Sequence, residues 1–141
     1  MKKLLFLFLL FSSSLSFAGS ADAILECKSA SGRTIFKAAL QDLIGFTSAT
    51  FTIDGESIHY KNSEFGHLVF NAKNKILTLS ISDPKLGFLT FYAIPTTFKS
   101  LKKKNYEKHY KFEAIIQGLD PRKNKHQSKE IKLYCELTYS I

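Results

Sequence analysis

The chain lacks the long apolar run of a membrane-spanning helix, any internal repeat and any low-complexity tract. Its longest apolar run covers residues 4–11, whereas a helix needs roughly 20 residues to cross a bilayer. We therefore expect no transmembrane anchor, and neither a solenoid nor a long linker. Only two cysteines occur, and they do not have the C-x-x-C spacing of a thiol redox pair.

The motifs of common hydrolases and of phosphate-binding loops are missing as well. There is no G-x-S-x-G, no H-E-x-x-H, no S-x-x-K with its partner motifs and no glycine-rich phosphate loop. None of the four histidines has a second histidine or a cysteine at metal-ligand spacing. We assign no catalytic residue, metal or cofactor. A hydrolase built on scattered carboxylates and His109 stays open as an alternative, because carboxyl pairs form in space and not in sequence.

Residues 1–18 have the pattern of a secretory signal peptide. Two lysines after the first methionine are followed by an apolar stretch and by a small-x-small cleavage site at residues 16–18. We expect export to the periplasm or the medium, with residues 19–141 folding as a single β domain. Such a compartment is oxidising, so Cys27 and Cys135 are predicted to form a structural disulfide.

Period-2 alternation of apolar and polar residues dominates the rest of the chain and predicts an all-β fold. Cys27 and Cys135 both fall on the inward phase of their strands, so their pairing brings the first and last strands together. We expect an antiparallel barrel or sandwich of about 8 to 9 strands, and pairing of the end strands favours the barrel because it removes exposed edges. The predicted strands lie around Cys27 and over residues 34–40, 49–53, 57–60, 67–71, 76–82, 88–94, 106–118 and 131–141.

Two stretches of the chain are ambiguous, and one turn is clear. Asp54 and Gly55 between alternating runs predict a type I′ hairpin turn. Residues 37–46 fit either a short helix or a bulged strand, and residues 98–104 fit one helical turn. Six aromatic residues on inward phases are predicted to fill the core, although a barrel of this size can also hold a small apolar ligand. They are Phe51, Phe70, Phe91, Tyr110, Phe112 and Tyr139.

The formal charge of +8 is unevenly distributed. Apart from the two lysines of the predicted signal peptide, the whole excess lies in residues 99–141, where eleven lysines and arginines face five acids. It forms two clusters, residues 99–108 and residues 122–132, which a long strand over residues 106–118 would place at opposite ends of the domain. The candidate contacts to an anionic partner are Lys102, Lys103, Lys104, Arg122, Lys123 and Lys125.

Together these features favour an exported domain that binds through its loops or barrel mouth, without catalysis. The partner would be another protein or an anionic envelope surface; nucleic acid is not expected, because aromatic residues do not alternate with the lysines. An export signal followed by a small β domain with a cysteine near each end is similar to the layout of bacterial periplasmic lysozyme inhibitors, although their inhibitory loop motif is absent. The resemblance implies inhibition of a cell-wall enzyme, through residues 29–33 or 119–128. Carriage of a small hydrophobic ligand inside a barrel is the alternative.

Overall fold

The structure, a computed structural model, describes residues 22–41, 45–61, 63–102, 107–122, 125–126 and 129–140. The described part is built of β-strands and two 3₁₀ turns, and the predicted signal peptide lies outside it. The turns are Ser63–Phe65 and Pro95–Thr97. The strands are β1 (Asp22–Lys28), β2 (Thr34–Gln41), β3 (Gly45–Ile53), β4 (Glu56–Tyr60), β5 (Gly66–Asn71), β6 (Ile76–Asp83), β7 (Gly87–Ala93), β8 (Lys99–Lys102), β9 (Glu107–Asp120), β10 (Lys125–His126) and β11 (Ile131–Ser140).

Nine of the strands lie side by side in one sheet. Their order is β4-β3-β2-β1-β11-β9-β7-β6-β5, and β8 and β10 also pair with β9. Every neighbouring pair is antiparallel. The sheet curls into a half-barrel, which confirms the predicted all-β antiparallel architecture.

The two edge strands of the half-barrel run in the same direction. Neighbouring strands alternate in direction, so in a row of nine the two edge strands, β4 and β5, run the same way and cannot form an antiparallel pair. We call the gap between the edge strands β4 and β5 the open seam. Near it, Gly66 at the start of β5 lies against the ring of Phe46 in β3. A Cβ at position 66 would collide with that ring. Glycine therefore allows the two sides of the half-barrel to approach each other.

A disulfide joins the first and last strands. Cys27 of β1 lies directly opposite Cys135 of β11, and the two sulfur atoms are bonded, as predicted. Each cysteine is 3% exposed, so both lie within the core. The bond therefore ties together two strands that are adjacent in space and distant in sequence.

A chain of aromatic rings runs through the interior of the half-barrel. Phe36 stacks on Phe91 with ring centroids 5.2 Å apart, and Phe91 meets Phe112 edge-on at 6.5 Å. Phe98 stacks on Phe112 at 5.0 Å and contacts Tyr110 at 5.2 Å. These rings occupy the space in which a small barrel would hold a ligand.

The predicted inward residues follow the observed burial closely. Phe51, Phe91, Tyr110 and Phe112 are buried, and two further aromatic residues pack against the core while remaining partly exposed. These two are Phe70 and Tyr139. They lie next to each other, with centroids 6.0 Å apart, so the inward phase assigned to both is consistent with the structure.

The ambiguous stretch 37–46 forms strands. Its described residues belong to β2 and β3, and the pairing register shifts between Ala39 and Leu40. A shift of this kind marks a β-bulge, one of the two structures expected there. Residues 42–44 lie outside the described part of the chain.

The helical turn predicted for residues 98–104 is wrong over residues 98–102, and residues 103–104 lie outside the described part of the chain. The turn lies earlier, at Pro95–Thr97, and β8 follows as a strand paired with β9. β7 and β8 pair with the same side of β9, and Thr97 lies between them. Its hydroxyl accepts a hydrogen bond from the Glu113 backbone N–H at 2.8 Å and donates one to the Ile94 carbonyl at 2.7 Å. A side chain thus replaces the ladder partner that Glu113 loses where the strand is interrupted.

Candidate functional site

Four connections lie at one end of the half-barrel, which we call the loop end. β1, β3, β6 and β9 run in the same direction, so the residues that follow each of them lie together at this end. They are residues 29–33, 54–55, 84–86 and, from the connection between β9 and β11, the described residues 121–122, 125–126 and 129–130. At the β3–β4 turn, Asp54 and Gly55 have φ values of 51° and 83°, as the predicted type I′ hairpin requires.

Asp54 joins three of these connections. Arg33 donates hydrogen bonds from Nε and Nη2 to the two carboxylate oxygens of Asp54, at 2.6 and 2.9 Å. Arg122 donates from Nη1 to Asp54 Oδ2 at 2.6 Å. The same guanidinium reaches Asp120, from Nε at 3.1 Å and from Nη2 at 2.9 Å. We call these four residues the arginine network.

The ionised forms of the arginine network support one another. Hydrogen bonds from Arg33 and then Arg122 hold the pKa of Asp54 below its ordinary value. Hydrogen bonds to Asp120 and Asp54 raise the pKa of Arg122, and the bond to Asp54 raises that of Arg33. The Asp120 side chain is 6% exposed, whereas that of Arg33 is 67% exposed. The arginine network is therefore anchored on the buried carboxylate of Asp120 and presents the guanidinium of Arg33 to solvent.

The predicted partner contacts fall at both ends of the molecule. Arg122 is part of the arginine network at the loop end. β8 pairs with the beginning of β9 at the other end, so the backbone of Lys102 lies far along β9 from Arg122. The backbone of Lys102 and of Lys125 is described, whereas Lys103, Lys104 and Lys123 lie outside the described residues.

A second candidate surface lies on the outer face of the sheet. This outer groove of about 930 Å³ crosses β2, β1, β11 and β9 and is bordered by residues 96–99. One row of cross-strand neighbours runs along it: Lys37, Glu26, Glu136, Lys111 and Lys99. Its volume is within the range of ligand-binding clefts, and its lining combines charged side chains with apolar ones such as Ile35 and Tyr134.

His109 lies beside this row and is buried although it is on the outward phase of β9. Its Nε2 is 3.0 Å from Glu136 Oε2, and Lys111 Nζ is 3.1 Å from the other oxygen of Glu136. Hydrogen bonds from Lys111 and then His109 hold the pKa of Glu136 below its ordinary value. Among the described residues, no serine, threonine or cysteine side chain bonds to His109. The pair therefore lacks, in that part of the chain, the nucleophile of a hydrolase triad.

The other histidines do not assemble a site. His59 is exposed, and its Nδ1 is 3.0 Å from Thr50 Oγ1. In the described ranges, no group of three or more histidine, cysteine, aspartate or glutamate side chains is placed to hold a metal ion. No helix there is long and apolar enough to cross a membrane.

Comparison with known proteins does not identify the chain. No protein-family model matches it, and neither does any curated protein or solved structure. Function is therefore inferred from the chemistry of the loop end and of the outer groove.

The sequence indicated the loops 29–33 and 119–128 but did not single out Arg33, Asp54 or Asp120. Asp54 and Asp120 have turn positions that account for them locally, and Arg33 lies in a turn that carries no motif. Their association depends on which strands are neighbours. The alternating pattern did place Glu26 and Glu136 on outward faces, but nothing local shows that they face each other across β1 and β11.

Proposed function

We propose that the protein is an exported, non-catalytic binding protein whose loop end contacts its target. In its most concrete form, the target is a muramidase of the cell wall and the loops enter its substrate cleft. One observation carries the proposal: Arg33, Asp54 and Arg122 fix three connections into a single charged surface at one end of the molecule.

The charge of the loop end suits such a cleft. Glycoside hydrolases cleave their substrate with two carboxyl groups that flank the scissile bond. When the cleft is empty, these carboxyl groups are accessible to an inhibitory loop that enters it. The 121–130 connection carries Lys123 and Lys125 next to Arg122. Opposite charges of this kind accelerate encounter and fix the orientation of the complex.

The arginine network also limits the entropy lost on binding. Loops that are ordered before they meet a target lose less conformational freedom in the complex. Asp54 and Asp120 hold the Arg122 side chain through its Nε and both Nη atoms. Arginine held in one orientation is well suited to anchor an interface.

Carriage of a hydrophobic ligand is supported less well. The aromatic chain from Phe36 to Tyr110 occupies the interior, whereas the outer groove and a cavity of about 370 Å³ at the loop end, lined by Arg33, Asp54 and Arg122 among others, both lie at the surface. Interior packing of this kind favours a surface function.

Charge reversal at the loop end tests the proposal. The variant Lys123→Glu with Lys125→Glu leaves the arginine network intact and should slow association with a sensitive muramidase by about tenfold or more. Inhibition of peptidoglycan hydrolysis, measured against a panel of purified muramidases, gives the association rate and the residual activity.

The matched control changes the same number of charges in the other basic cluster of the sequence, with Lys103→Glu and Lys104→Glu. This control should inhibit like the unmodified protein. Equal loss in both variants, or loss in the control alone, would show that the loop end is not the contact surface. Failure of the unmodified protein to inhibit any muramidase would exclude that target, and binding to anionic vesicles instead would identify the envelope surface as the partner.

A further inference from the structure

The outer groove is distinct from the loop end and plays no part in the function proposed above. Its carboxylates are already paired with lysines. The pairs are Lys37–Glu26 at 4.0 Å, Lys111–Glu136 at 3.1 Å and Lys132–Glu113 at 2.7 Å. Two other lining lysines, Lys28 and Lys99, form no ion pair with any residue that the structure describes. The groove therefore has two positive charges available to a ligand.

An aromatic ring lies between these two lysines. Tyr134 is the cross-strand neighbour of Lys28 on one side and of Glu113 on the other, and it is 46% exposed. Lys132 Nζ lies 5.7 Å from the centre of its ring, a cation–π contact that helps to orient it. The middle of the groove thus presents an apolar ring surrounded by groups that donate and accept hydrogen bonds.

We propose that the outer groove binds an acidic oligosaccharide. Lys28 on β1 and Lys99 on β8 are three strand spacings apart, about 14 Å, which exceeds a single sugar ring and suits an oligomer with repeated anionic groups. Sugar hydroxyls both donate and accept hydrogen bonds, so they can accept from the lysines of the lining, donate to its glutamates and do either with its threonine hydroxyls. The apolar face of a sugar ring packs against the exposed part of Tyr134.

An acidic peptide fits the same charges less well. Extended peptides usually bind by adding a strand to the edge of a sheet, where backbone groups are unpaired. The outer groove lies across the face of four central strands, whose backbone groups already bond to their neighbours. A peptide there would find side chains only.

Calorimetric titration of the full exported protein with defined oligomers tests the proposal. Tetragalacturonate and a heparin-derived tetrasaccharide are the acidic probes, one with carboxylates and the other mainly with sulfates. The methyl ester of tetragalacturonate is the neutral probe, and tetraglutamate is the peptide probe. At least one acidic saccharide should bind saturably with one site per chain, and the ester should bind at least about tenfold more weakly.

Variants locate the binding. Lys28→Ala with Lys99→Ala, and separately Tyr134→Ala, should each weaken it about tenfold or more. The matched controls are two exposed lysines in turns of the sheet, Lys73→Ala with Lys85→Ala, and an exposed tyrosine outside the groove, Tyr92→Ala.

All of these positions are exposed, and the controls should bind like the unmodified protein. The proposal is overturned if no acidic saccharide binds, if the ester binds equally well, or if the control lysines matter as much. Tighter binding of tetraglutamate would assign the groove to acidic peptides. If the unmodified protein binds an acidic saccharide but inhibits no muramidase, the proposed function of the loop end is excluded and the proposal for the outer groove stands.

Discussion

Replacing Cys27 and Cys135 together with alanine is expected to lower the free energy of unfolding by about 4 to 5 kcal/mol. The disulfide spans 108 residues of sequence and restricts the unfolded chain, while the folded strands β1 and β11 lie side by side. Because typical domains are stable by about 5 to 15 kcal/mol, the variant would lose much of its stability. Urea unfolding followed by circular dichroism gives this difference directly.

Reduction of the unmodified protein provides the control for this prediction. The reduced protein and the double alanine variant should unfold at similar urea concentrations, since both lack the cross-link and both keep the strand pairing. A loss below about 1 kcal/mol in either case would mean that the bond contributes little, contrary to the loop-closure estimate.

Phe91→Ala is expected to cost about 3 to 5 kcal/mol. Phe91 is 1% exposed and links Phe36 to Phe112 in the aromatic chain, so its removal leaves a cavity lined by rings. The cost combines lost burial with the cavity that the neighbouring side chains cannot fill. The same urea titration measures it.

Phe88→Ala on the same strand is the matched control. Phe88 points to the outer face of β7 and is 39% exposed, so its replacement should cost less than about half as much. If the two variants lost equal stability, the interior would be loosely packed at Phe91, and a ligand cavity would again be plausible.

Much of the fold follows from local pattern. The alternating phases identified the inward faces of the strands, including those of Cys27 and Cys135, because one face of each strand is buried. Asp54 and Gly55 gave the hairpin because few residues adopt positive φ readily. Neither inference required knowledge of distant residues.

The features that could not be predicted from the sequence depend on contacts between residues that are distant in sequence. Residues 99–102 form a strand because β9 offers them a partner, although their own sequence also fits a helical turn. The identity of the two edge strands, β4 and β5, requires the whole topology. The local sequence therefore predicts most of the strands, whereas only the structure shows which strands are neighbours in the sheet.

The two candidate surfaces follow the same division. Arg122 was predicted as a contact from its charge cluster, yet its bonds to Asp54 cross 68 positions of sequence. The outer groove joins β1 and β8 through two intervening strands. If both proposals hold, the protein would bind an acidic glycan on its sheet face while its loop end engages the enzyme that acts on cell-wall glycan.

The central claim is that the Cys27–Cys135 disulfide joins the first and last strands of a β-sheet whose interior is filled by side chains, and that the protein binds its partners on its surface. Native mass spectrometry of the protein, expressed with residues 1–18 and purified without detergent, tests this most directly. The account predicts one species with the mass of residues 19–141, less the two hydrogens lost to the disulfide, and with no hydrophobic molecule bound. A co-purifying hydrophobic ligand, or the full mass of two free thiols, would contradict it.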